Sequence, residues 1–288
     1  MRAPALGALL VLVATTAAAA PSWWRVAQDR SEVWILGVPA VTPRGMVWDQ
    51  QVVRQRLHGA NELIVAPRAR GGLRALGGLI GTAGALRSPT PMEDGLAAPL
   101  RRRLVTIRMS LGKDAGHYAG WKPTVAGALL QGDFLKANDL KVGEIEASVR
   151  KLAHDAGVRE APAGAYDSGP MIAAAGALGP AGQSACLASQ LQSVEAGAGS
   201  MRATAQAWSR GVVKATAVNP VDQACLAAFP MIKVMSERNV DEESHAIALA
   251  LAHPGHSVAV FDLVTLTLAG GVLDHLRGRR LVVTGPQP

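Results

Sequence analysis

Runs of β-branched and aromatic residues stand at the two ends of this 288-residue chain, while stretches with helical spacing fill its middle. A strand cannot satisfy its own backbone, so each run needs a partner strand, and the two ends of the chain are expected to meet in one sheet. At the N-terminal end the strand-like run is Glu32 to Leu36. "WWRVAQDR" precedes it as a hairpin partner turning near Gln28 to Ser31. A second run, Glu62 to Val65, follows the helical stretch Trp48 to Ala60, and strand, helix, strand is an α/β signal. At the C-terminal end a strand is expected from Ser257 to about Leu266. Gly270, Gly271, the helix "VLDHLRGR" and a closing strand in "RLVVTG" follow it. From Met92 to about Ala250 apolar residues recur mostly at helical spacing. The expected fold is therefore α/β, with a mixed central sheet formed by the N- and C-terminal segments and a large helical middle region packed on it. Residues 21–288 read as one domain with a helical insertion at about 92–250.

The first twenty residues carry one early charge at Arg2, an apolar run from about Leu6 to Val13 and a tail of small residues, the pattern of a secretory signal peptide cleaved near Ala18 to Ala20. The chain is expected to be exported, periplasmic or secreted, with no membrane span after cleavage. In that compartment the two cysteines, Cys186 and Cys225, are expected to pair in a disulfide. Removing Arg2 from the 29 basic residues leaves 28 against 22 acidic ones, a formal charge of +6 on the mature chain. The basic run Arg101, Arg102 and Arg103 lies in a helical stretch poor in aromatics, so it reads as a solvated helix face and not as a nucleic-acid site.

Several motifs fail for want of context. The glycine-rich stretch Gly71 to Leu86 matches neither phosphate-loop pattern and reads as a flexible or loosely helical insertion. "GQSAC", Gly182 to Cys186, has helical surroundings where a nucleophilic serine would need a strand and a sharp turn. "HPGH", His253 to His256, has ligand-like spacing but forms a turn entering the last long strand, whereas ligands in open α/β sheets bind where strands leave.

"WRV" (Trp24 to Val26), "VWILG" (Val33 to Gly37) and the loop residues Pro43, Gly45 and Trp48 occur in the order found in the TraB/PrgY/GumN family, which includes the Tiki proteases. "GWKPTVA" (Gly120 to Ala126), "AWSRG" (Ala207 to Gly211), "ERN" (Glu237 to Asn239) and the terminal "VAVFDLVTLTLAGGVLDHLRGR" extend the resemblance over nearly the whole mature chain. The resemblance implies a metal-dependent hydrolytic site made by two G-x-x-H motifs and a glutamate after the second strand.

Carried over one position at a time, the first histidine falls on Ala40 and the glutamate on Ala66. The second histidine falls on Val264, or on Thr265 if the register slips by one. None of these side chains is a good metal ligand. The expectation is thus a divergent member with no catalytic residues, no metal and no cofactor, acting by binding a small molecule or an envelope protein. The candidate ligand-binding residues are Arg238, Asn239, Glu237 and Asp262. The competing expectation is a metal-dependent hydrolase with a relocated site that uses Asp262, Glu237 and one of His245, His253 or His256.

Overall fold

The computed structural model describes residues 20–70, 84–213 and 220–287. The expected signal peptide and most of the glycine-rich stretch, residues 71–83, lie outside the described residues. The strands are β1 (Trp23–Gln28), β2 (Ser31–Val38), β3 (Val41–Pro43), β4 (Leu63–Val65), β5 (Arg68–Ala69), β6 (Leu140–Val142), β7 (Glu160–Pro162), β8 (Ala165–Tyr166), β9 (Gly255–Asp262) and β10 (Val282–Gln287). The helices are α1 (Gln51–Leu57), α2 (Ala98–Ser110), α3 (Pro123–Ala137), α4 (Glu144–Asp155), α5 (Gly169–Ala177), α6 (Pro180–Glu195), α7 (Gly197–Ser209), α8 (Pro220–Ala228), α9 (Pro230–Ala250), α10 (Leu263–Thr267) and α11 (Val272–Gly278).

The two ends of the chain do share a sheet. Six strands run in the order β10-β1-β2-β9-β4-β7. β1 pairs antiparallel with both β10 and β2, while β2, β9, β4 and β7 are mutually parallel. The β1–β2 hairpin closes through Asp29 and Arg30, with Asp29 in the left-handed region at φ 52°, a conformation that aspartate tolerates better than most residues.

Alternation along the strands sorts side chains onto two buried faces. Trp24, Val26, Val33, Ile35, Ile64, Ala259 and Phe261 meet α9 and α11 through Val240, Ile247, Val272, Leu273 and Leu276. Trp23, Leu36, Val38, Leu63, Val65, Val258 and Val260 meet α1 and α4 through Val53, Leu57, Ile145 and Val149. β9 lies between β2 and β4 and is apolar on both faces, which is why Val258 to Phe261 reads as a continuous apolar run.

The middle of the chain divides its labour. α4 and α9 cover the sheet, whereas α2, α3 and α6 build a separate core from Leu104, Ile107, Leu130, Leu187 and Leu191. Cys186 of α6 and Cys225 of α8 form a disulfide with Cα atoms 4.5 Å apart, packed with Phe229 and the apolar residues of α5.

Two local expectations are corrected. The last long strand ends at Asp262 and not near Leu266, because Asp262 Oδ1 accepts from the amides of Val264 (2.9 Å) and Thr265 (3.1 Å) and turns the chain into α10. The region read as helical also contains β7, which joins the sheet beside β4. No single helix among the described residues is long and apolar enough to cross a membrane.

Candidate functional site

The parallel strands β2, β9 and β4 end on the same side of the sheet, where open α/β folds bind ligands. β2 leaves the sheet through Pro39 and Ala40. The Ala40 carbonyl accepts from the Gly143 amide (3.0 Å), which fixes the short β3–β6 ribbon beside the strand end. β9 leaves the sheet one register step beyond Gly37, since Gly37 faces Phe261 and Val38 faces Asp262. Between these ends lies a cleft of ≈ 520 Å³. α7 forms its opposite wall with Ser200, Ala203, Thr204, Ala207 and Trp208, residues spaced three to four apart so that one helix face looks into the space.

Trp208 is 1% exposed, and its indole Nε1 donates to the Gly37 carbonyl at 2.7 Å. Its ring packs on Trp48 with centroids 5.4 Å apart and planes inclined by 55°. The tryptophans of "AWSRG" and of the loop after β3 therefore meet beside the end of β2, which Trp208 holds. Ser22 Oγ donates to the Gly211 carbonyl (2.6 Å), tying the turn after α7 to the start of β1.

Ala40, Val264 and Asp262 line the cleft; Ala66 does not, and packs instead against the apolar face beneath α9. A divalent ion requires several nitrogen, sulfur or oxygen donors held together. Alanine and valine side chains supply none, and among the described residues no group of three or more His, Cys, Asp or Glu side chains is placed to hold an ion. The side chains at the strand ends do not fit the metal that the resemblance implies.

The four candidate ligand-binding residues separate. Asp262 sits in the cleft wall. Glu237 is exposed and faces Lys233 at 3.7 Å. Arg238 donates to Glu242 Oε1 (2.8 Å) and to the Ala165 carbonyl (3.0 Å), so its guanidinium holds the chain that follows β7. Asn239 Oδ1 is buried without a hydrogen-bond partner and lies outside the cleft. The histidines of the alternative site are not brought to Asp262. His256 opens β9 and its Nε2 contacts the Arg56 carbonyl at 2.9 Å, six residues and roughly 20 Å along the strand from Asp262. His253 lines a different pocket at that same end, and His245 is exposed on α9.

One residue at this end of the sheet was not singled out from sequence. Glu243 of α9 is 2% exposed, and its Oε2 has no hydrogen-bond partner. Burial, with repulsion from Asp262, Glu146 and Glu242, pushes its carboxyl up to about 8. Burial also raises the Asp262 carboxyl, while the amides of Thr265 and Val264 and the Thr265 hydroxyl oppose the rise. A signal for Glu243 does exist in the sequence. It continues the stripe Val240, Ile247 and Ala250 at spacings of three and four, all of them buried.

No curated protein and no solved structure matches this chain. A family model matches residues 22–284, nearly the whole length, and on that ground the chain belongs to the TraB/PrgY/gumN family.

Proposed function

We propose that this chain is an exported, non-catalytic TraB/PrgY/gumN protein of the cell envelope that binds a small molecule in the cleft at the C-terminal ends of its parallel strands. The observation that carries the reading is that the positions where β2, β4 and β9 end, at which the resemblance implies metal donors, carry only apolar side chains. Ala40 and Val264 face the cleft and Ala66 packs into the core beside it. A volume of ≈ 520 Å³ is within the range of small-molecule sites, which favours a small ligand over a flat protein contact. Export is supported by the signal-like first twenty residues and by the Cys186–Cys225 disulfide.

The test is to express the full chain in metal-supplemented medium, recover the mature protein from the envelope fraction, and measure its metal content, its peptidase activity with and without a chelator, and retained small molecules by native mass spectrometry. The expected result is sub-stoichiometric metal, no chelator-sensitive hydrolysis and a retained or exchangeable small ligand. A stoichiometric divalent ion with chelator-sensitive hydrolysis would overturn the reading.

A further inference from the structure

The cleft is apolar over most of its wall but not neutral. Val41, Met201, Val212, Leu263 and Val264 line it together with the hydroxyls of Ser200 and Thr204, and Asp262 is the one charged residue among its described lining residues. Both backbone bonds to the Asp262 carboxylate go to Oδ1, which leaves Oδ2 without a backbone donor. Glu243, almost wholly buried and with Oε2 unpartnered, is close enough to feel the Asp262 charge, as well as those of Glu146 and Glu242. Among the described residues that line the cleft there is no lysine or arginine. The nearby cation Arg238 is engaged by Glu242 and the Ala165 carbonyl. The strand-end region thus concentrates negative charge in a low-dielectric wall, and none of its described lining residues carries a positive charge.

We infer that the cleft selects an organic cation, a molecule with an apolar body that lies along Val41, Leu263 and Val264 and ends in a protonated amine received by Asp262. This inference rests on the cleft being a binding site. An anion would be repelled by Asp262 and would find only the neutral hydroxyls of Ser200 and Thr204, and a bare metal ion would find one carboxylate and the same two hydroxyls. An alkylammonium gains a charge-assisted hydrogen bond at one end and buries its chain at the other.

Three probes of matched length separate the possibilities: n-octylammonium, n-octanol and n-octanoate, titrated at pH 7 by calorimetry and by tryptophan fluorescence against the mature, disulfide-bonded protein. The ammonium is expected to bind at least about tenfold more tightly than the alcohol, with the carboxylate weakest. Asp262→Asn keeps a side-chain oxygen to accept from the Val264 and Thr265 amides, so α10 retains its cap while the charge is removed. It is expected to cost the ammonium about tenfold and to leave the alcohol unchanged. Ala40→Trp, at an exposed position of the cleft wall, is expected to block all three probes. If alcohol and carboxylate bind as well as the ammonium, or Asp262→Asn changes nothing, the cation inference fails and the binding cleft stands. If no probe binds, or binding survives Ala40→Trp, both fail.

Discussion

The indole of Trp208 donates to the carbonyl of Gly37 at 2.7 Å, joining a helix of the middle region to the last turn of strand β2. This bond is buried, so its loss is not repaired by water. Trp208→Phe keeps an aromatic ring against Trp48 but removes the donor, leaving the Gly37 carbonyl unsatisfied at a cost of about 1–3 kcal/mol. The expected outcome is a melting temperature lower by about 3–8 °C for a domain of this size, read by thermal denaturation. An unchanged melting temperature would mean the bond is dispensable.

Gly37 is constrained from its other side as well. A Cβ there would stand 2.7 Å from Leu263 Cδ1, 2.9 Å from Leu266 Cδ2 and 3.1 Å from the Trp24 ring. The strand-end glycine thus permits α10 and Trp24 to close on β2, a packing reason that holds whether or not a ligand-bearing residue follows it. Gly37→Ala is expected to destabilise by about 1–3 kcal/mol, because Leu266 is fully buried and has little room to retreat. Urea denaturation measures it, and Gly45→Ala is a useful contrast, since nothing lies within 4 Å of that site and only its left-handed φ of 64° opposes the change.

Much of the fold was readable because period-two and period-3.6 patterns are local properties. β1, β2, β4, β9 and the helices of the middle region lie close to where alternation and spacing put them, and the meeting of the two chain ends follows from their need for partners. The rest depended on tertiary contacts. The apolar, β-branched run after Phe261 continues past Asp262 without a break in composition, so the end of β9 is set by a carboxylate capping two amides. β7 is three residues long and contains Pro162, too short to announce itself. At the site, the apolar side chains of Ala40 and Val264 at the strand ends were legible residue by residue, whereas the separation of Glu237 and Arg238 from Asp262 was not. Glu243 sat unremarked in an acidic stretch that looks solvated, although its spacing from Val240 and Ile247 puts it on the buried stripe.

The Cys186–Cys225 bridge closes a separation of 39 residues between α6 and α8 in a small satellite core. Constraining the unfolded chain over such a loop stabilises by about 4 kcal/mol. Replacing both cysteines by alanine is expected to lower the denaturation midpoint accordingly, and adding a reductant to the wild-type protein is expected to do the same. A midpoint insensitive to both would show that the loop is held by packing with Phe229 and the apolar face of α5 alone.

Glu243 makes stability depend on pH in an unusual direction. Its carboxyl is raised from 4.5 to about 8 in the folded protein, so between those values the folded state holds a proton that the unfolded state has released. The unfolded chain then binds fewer protons, and stability falls as pH rises through that window and levels off above about 8. A shift of that size corresponds to a loss on the order of 3–5 kcal/mol across the window. Glu243→Gln, uncharged at every pH, is expected to flatten the slope between pH 5 and 8 and to be the more stable protein at pH 8, with little difference at pH 4. Denaturant melts of both proteins at a series of pH values supply the comparison. Parallel curves would show that the carboxyl finds a counter-charge or water in solution. A flattened curve would identify Glu243 as a buried acid that the fold retains against its own stability, beside the one acid that faces the cleft.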